Sequence, residues 1–167
     1  MDDENQGSQA ASDDDNGPIL VALDFTADSQ AALIWACRYA ARVGVEVIGL
    51  HVVHDPGEAP GYYKRADSDL LRPLEDVAVE MMDEFIAKVL VEYPDLPALQ
   101  HIKKLLVKGI PATRILELAE KCGASMIVMG SRGRTGLPHL LLGSKAERVV
   151  QLSPLPVTIV KASKVLG

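Results

Sequence analysis

Five short runs rich in apolar and β-branched residues, each separated from the next by a longer stretch, leave this chain few folds to adopt. The first, Ile19 to Leu23, is apolar at every position, which suits a strand buried on both faces better than one with a wet side. It stops at Asp24. Asp28 can cap the next segment, where Leu33, Ala36, Cys37, Ala40 and Ala41 recur at helical spacing until Gly44 supplies a stop. Val45 to Val53 is the second strand, and the "DPGEAPGYY" that follows, punctuated by Pro and Gly, reads as a loop. From Ser68 to about Tyr93, residues such as Leu74, Val77, Met81, Phe85 and Val89 mark an amphipathic helix, with Met81 and Met82 as core fillers. His101 to Val107 is a third strand, Pro111 opens a helix that Gly123 closes, and Ser125 to Met129 is a fourth strand. Ser144 to Leu152 is a short helix stopped by Pro154, and Pro156 to Val160 is the fifth strand.

Alternation of this kind predicts an α/β fold: a single-domain, five-stranded parallel sheet with helices on both faces and right-handed crossovers. With 167 residues, 48% of them hydrophobic, the chain has material for one core. Such sheets bind ligands at the carboxyl ends of the strands, where strand order reverses. Asp24 and the glycine-rich stretch after Met129 are therefore expected to face each other across a crevice.

The net charge of −6 sits in one place. Asp2, Asp3, Glu4, Asp13, Asp14 and Asp15 are six acids in a segment with no Lys or Arg, and without them seventeen acids face seventeen bases. A neutral domain lacks the positive excess that phosphate backbones require, which argues against nucleic acid as a partner. Residues 1–17 hold no large apolar side chain after Met1 and are expected to form a disordered acidic tail ahead of a domain spanning 18–167. Neither a secretory signal nor a run of about 18 apolar residues is present, so no membrane insertion is expected. Cys37 and Cys122 lie far apart without ligand spacing, and reduced thiols in a cytoplasmic protein are the expectation.

The chemistry concentrates in "GSRGRTGLPHLLLGSKAE", Gly130 to Glu147. Gly130, Gly133 and Gly136 permit backbone conformations and close approaches that side chains would block, and the N–H groups of such a loop can surround an anion. Gly143 precedes a helix whose free N–H groups and dipole favour phosphate, with the Ser144 hydroxyl and the charges of Arg132, Arg134 and Lys145 nearby. Plainer readings stand beside this one. Ser144 and Glu147 spell S-x-x-E, a capping box that needs no ligand, and Asp24 can simply cap the turn after its strand. His51 and His54, three apart on and after a strand, point to opposite faces and are read as packing or solvated residues, not as metal ligands. No G-x-G-x-x-G follows the first strand and no G-x4-G-K-[S/T] occurs, which argues against a dinucleotide enzyme and a Walker-type ATPase. A phosphoacceptor receiver domain, suggested by Asp24 and Lys161, fails at "LLVKG", where the third strand lacks a terminal Asp.

Gly130, Gly133, Gly143 and Ser144 match the G-x2-G-x9-G-[S/T] spacing of the ATP-binding subgroup of the universal stress protein family. "ILVALDFTADSQAAL", "VIGLHVV" and "SPLPVTIVK" resemble that family's first strand and helix, second strand and last strand, within a likeness covering residues 18–163. The resemblance implies a Rossmann-like, adenine nucleotide alpha hydrolase-like domain. It would bind ATP, with or without Mg, or else AMP, ADP or cyclic AMP, as a dimeric stress-response sensor or adaptor serving a regulatory protein that the sequence does not name.

By the same resemblance, Asp24 lies against the adenine with Ala22 and Leu23 beside it, and Val52 walls the base. Gly130, Arg132, Gly133, Gly143 and Ser144 hold ribose and phosphates, with Lys145 and Ala146 at the helix start. Lys145 departs from the small apolar residue of the family pattern, and either strengthens phosphate binding or projects to solvent. A slow ATPase or self-phosphorylating enzyme is the alternative, although the motif supplies only Glu147 as an acid and no catalytic residue is assigned. A sheet of the family's strand order leaves Pro156 to Val160 at an edge, where Val157, Ile159 and Val160 favour pairing with a second copy.

Overall fold

The computed structural model describes residues 16–54, 74–133 and 142–163. Strands β1 (Ile19–Ala22), β2 (Val47–Val53), β3 (Lys103–Lys108), β4 (Met126–Gly130) and β5 (Val157–Val160) form one sheet in the order β3-β2-β1-β4-β5. Every pairing is parallel, as the alternation predicts. Helices α1 (Ala27–Val43), α2 (Leu74–Glu92), α4 (Pro111–Lys121) and α5 (Ser144–Leu152) run between strands. A four-residue α3 (Pro97–Gln100), too short to show a period, precedes β3.

The period of two along each strand divides the core into two layers. Ile19, Val21 and Leu23 pack with Leu33 of α1 and Met82 and Val89 of α2. Leu20, Leu50, Val52, Ile127 and Met129 pack with Ile115 of α4 and Val149 of α5 on the other face. β2 is buried at all seven positions, as a strand covered on both sides must be. Leu20 and Leu33 are wholly enclosed, and truncating either to Ala would cost about 2–5 kcal/mol.

The cap of α1 differs from expectation. Its N-cap is Thr26, whose side chain accepts from the Ser29 N–H at 3.3 Å, while Asp28 sits in the first turn and is buried. Asp24 causes the shift of two residues, because its Oδ1 accepts from both Thr26 N (3.2 Å) and Thr26 Oγ1 (2.5 Å) and so sets Thr26 at the cap. Gly44, at φ 75°, closes the helix as the sequence indicates. Gly17 belongs to the packed domain and not to the tail. Its carbonyl accepts from Ser125 Oγ at 2.8 Å, and a Cβ there would overlap the Gly123 carbonyl. Residues 1–15, the "DPGEAPGYY" loop, residues 68–73, Arg134 and Gly136 lie outside the described residues.

Candidate functional site

Strand order reverses at β1, with β2 on one side and β4 on the other, and a cleft of about 450 Å³ opens at the carboxyl ends there. All eleven residues picked out from the sequence line it. Ala22, Leu23 and Asp24 come from the end of β1, Val52 from β2, and Gly130, Arg132 and Gly133 from the exit of β4; Gly143, Ser144, Lys145 and Ala146 come from the start of α5.

Seven further residues, none of them among the expected ligand contacts, line the cleft: Ser29, Leu50, His51, His54, Pro111, Ile115 and Met129. For two of them the signal is register, since Ala22 sits level with Leu50 on one side and Met129 on the other. Ala22, Leu50, Val52 and Met129 all belong to the core layer facing α4 and α5. The apolar wall of the cleft is that layer continued past the helix starts.

Opposite the wall stands Asp24. Its Oδ1 serves the Thr26 turn, so capping is real, yet a Cβ added to Gly133 would lie 3.4 Å from Oδ2. Phe25 takes a left-handed backbone at φ 64°, which costs about 1 kcal/mol for a residue with a side chain. Packing holds it there: its ring stacks on His51 at 4.4 Å and meets Phe85 at 5.4 Å.

His51 is 2% exposed, and its Nδ1 lies 2.7 Å from the Leu23 carbonyl. A carbonyl only accepts, so Nδ1 carries the proton. Burial holds the pKa of His51 below the usual histidine value, against the raising pull of the Leu23 carbonyl and Asp24. It is therefore a neutral strut under Leu23 and Phe25. His51 and His54, expected as packing or solvated residues, both line the cleft. Among the described residues no group of His, Cys, Asp or Glu is placed to hold a metal ion.

The glycines work through close approach. A Cβ on Gly130 would lie 2.8 Å from the backbone carbon of Asp28 and 2.9 Å from Ser29 N, so this glycine is required by α1. Gly143 donates its N–H to the Ser131 carbonyl at 2.8 Å, and a Cβ on it would stand 3.3 Å from Gly133 N. The two ends of the loop thereby meet. Neither these glycines nor Gly133 adopt positive φ, so the left-handed freedom anticipated from the sequence is not what they supply.

The N-cap of α5 is Gly143, with no side-chain cap hydrogen bond, so the S-x-x-E box is not formed. Ser144 is instead the first helical residue. The first intrahelical bond runs from Glu147 N to the Gly143 carbonyl at 2.8 Å, which leaves the N–H groups of the preceding turn without helical acceptors at the mouth of the cleft. Arg132 and Lys145 add positive charge beside them. The arrangement can hold an anion at α5 and a flat apolar group against the wall.

The sequence pattern of the universal stress protein family matches residues 16–161. Universal stress protein MJ0531 of Methanocaldococcus jannaschii is 39% identical, over 87% of this chain and 82% of its own. The chain belongs to the universal stress protein family. Among solved structures, hypothetical protein MJ0577 is 29% identical with a TM-score of 0.64, covering 89% of this chain and 98% of that one. A universal stress protein in complex with cAMP shares the fold at a TM-score of 0.57 and 24% identity, with 89% of this chain and 98% of that one covered. The chain spans about half the length of some curated relatives, 49% of the 30%-identical universal stress protein of Mycolicibacterium smegmatis. No helix among the described residues is long and apolar enough to cross a membrane.

Proposed function

We propose that the cleft binds ATP, alone or with Mg, and that the protein acts as a cytoplasmic, dimeric nucleotide-responsive sensor or adaptor. One observation carries this reading: a glycine-closed loop and an uncapped helix start, with Arg132 and Lys145, face Asp24 across an apolar wall. The uncapped N–H groups and the two cations suit a polyphosphate, and the wall of Ala22, Val52 and Met129 suits a purine. Lys145 lines the cleft and is exposed, and in this reading its ammonium meets the phosphates at the cleft mouth. The cAMP complex of a fold relative is a precedent for the fold, and the ligand assignment rests on this chain's own cleft.

Mg-ATP at about a hundredfold its dissociation constant is expected to stabilise the protein by about 2.7 kcal/mol through mass action. Gly133→Asp sets a carboxylate in the cradle beside Asp24 and is expected to abolish that gain. Thermal melts of both proteins with and without Mg-ATP test the reading, and the absence of a shift in the parent, or an equal shift in both, counts against it. ADP, AMP and cyclic AMP in the same melts rank the ligands. Phosphate release measured on the same samples separates binding from slow turnover.

A further inference from the structure

Among the described residues Asp28 is the one buried carboxylate, 6% exposed, and nothing in the nucleotide reading uses it. A buried charge needs donors, and Asp28 has them from two separate segments. Its Oδ2 accepts from Ser131 Oγ at 2.7 Å and from the Arg132 N–H at 3.1 Å; its Oδ1 accepts from the Ala162 N–H at 3.1 Å, beyond β5. Arg132 Nε stands 3.5 Å from the same Oδ2. Thr26 already caps α1, so helix capping does not account for the acid.

The partners of Asp28 lead into the cleft. Ser131 is 1% exposed, and its carbonyl accepts from the N–H of Gly143, the residue that opens α5. Arg132 is held at backbone N–H and at Nε, and a guanidinium carries four more N–H donors on its terminal nitrogens. One carboxylate thus fixes the origin of the cleft's arginine and, through Ser131, the start of the helix that faces it. Stability alone does not require a charge here, because buried ion pairs are often replaced by apolar packing without loss.

We propose that Asp28 is a positioning residue for phosphate recognition, holding Arg132 and the Ser131–Gly143 contact where an anion at the start of α5 meets them. The proposal rests on the nucleotide reading of the cleft. Its signature is a loss confined to the phosphate-bearing part of the ligand. Asp28→Asn is expected to weaken ATP about tenfold, the size of one charge-assisted contact, and adenosine by less than about twofold.

Calorimetric titration of the parent, Asp28→Asn, Arg132→Ala and the double variant with ATP and with adenosine makes the test. The double variant is expected to lose much less than the product of the two single losses, since Asp28 acts largely through Arg132. Equal losses for ATP and adenosine, or losses that multiply in the double variant, would overturn the proposal. Should Asp28→Asn fail to fold, Ser131→Ala removes one donor to the carboxylate and must show the same ATP-selective loss. A parent that binds no ATP defeats the nucleotide reading itself, a result distinct from an ATP-binding parent whose variants lose no selectivity.

Discussion

The two edges of the sheet are built from opposite material. β3 carries Lys103, Lys104 and Lys108, all exposed, and pairs two of them with α2: Lys104 with Asp83 at 2.5 Å and Lys108 with Glu75. β5 reads VTIV, uncharged and partly buried at all four positions. Each edge has a row of backbone groups with no strand beside it among the described residues, and of the two only β3 has charges that discourage another strand from docking. Exposed ion pairs of this kind add about 0–1 kcal/mol to stability, so their consequence for β3 lies in specificity more than in energy. Charge therefore guards β3 and leaves β5 bare.

Breaking that contrast should have the largest effect on assembly. We expect light scattering after size exclusion to give a mass near twice 18.0 kDa, with two copies pairing antiparallel through β5. Val157→Pro with Ile159→Lys gives β5 the protection that β3 already has and should yield monomers. In the opposite direction, Lys104→Val with Lys108→Thr strips β3 of its charges and should produce species larger than a dimer. A parent that stays monomeric at high concentration would remove the dimer, and with it the meaning assigned to the bare edge.

Acid should sharpen the contrast, because the two edge strands are tied down differently where they leave the sheet. Beyond β3 the tie among the described residues is a backbone one, Gly109 N–H to the Val53 carbonyl at 3.0 Å, and the carboxylates that pair with Lys104 and Lys108 are exposed on α2 and not buried as Asp28 is. Beyond β5 it is Ala162 N–H to the carboxylate of Asp28. Burial pushes the Asp28 carboxyl up, but the Ser131 hydroxyl, the Ala162 amide and Arg132 outweigh it and hold the group below 3.8. A folded pKa below the unfolded one means a contribution present in full above 3.8 and lost as pH falls through the folded value. Amide exchange around β5 should therefore rise relative to β3 below that pH, and Asp28→Asn should lose the extra rise. His51 acts in an earlier window. Its folded pKa lies below 6.5, so the unfolded chain takes up a proton first and stability declines as pH drops from 6.5 toward that folded value. A melting temperature flat from neutral pH to pH 5 would contradict the buried neutral histidine.

The contrast between edges was half legible in the sequence. β5 is uncharged in its own four letters, and the lysines of "HIKKLLVKG" are equally plain, but which strands form the edges depends on order, and order came only through resemblance. The layers were legible for a simpler reason: apolar runs buried on both sides, a stop such as Gly44 and a helix start such as Pro111 act locally. One glycine spacing marked the exit of β4 and the start of α5, whereas Ala22, Leu23, Asp24 and Val52 were placed at the cleft only through resemblance. The inward turn of Asp28 was not legible. An acid in the first turn of a helix looks the same whether it caps or points inward, and the choice was made two residues upstream by the Asp24–Thr26 turn. Ser144 and Glu147 likewise have the letters of a capping box, while the cap position went to Gly143, whose N–H is drawn to Ser131. Leu50 and Met129 entered the cleft through strand register, which no single segment encodes.

The smallest expected effect concerns the tail and bears on the bare edge from outside. Residues 1–15 carry six acids and no base, so a chain beginning at Asn16 has a formal net charge of zero in place of −6. The packed domain begins just after the cut, where Gly17 and Pro18 accept hydrogen bonds from Ser125 Oγ at 2.8 Å and Ser125 N at 3.0 Å. Because those contacts survive, the shortened chain should melt within about 1–2 °C of the full one. A drop of about 4 °C or more, roughly 1 kcal/mol at this chain length, would show that the acidic segment packs on the domain. Solubility should move more than stability does. A protein near zero net charge associates more readily, and an uncharged β5 gives that association a place to act. Precipitation of the shortened chain at a lower concentration than the full one, relieved by Ile159→Lys on β5, is the expected result. Equal solubility of the two chains would mean that the acids do not protect the edge.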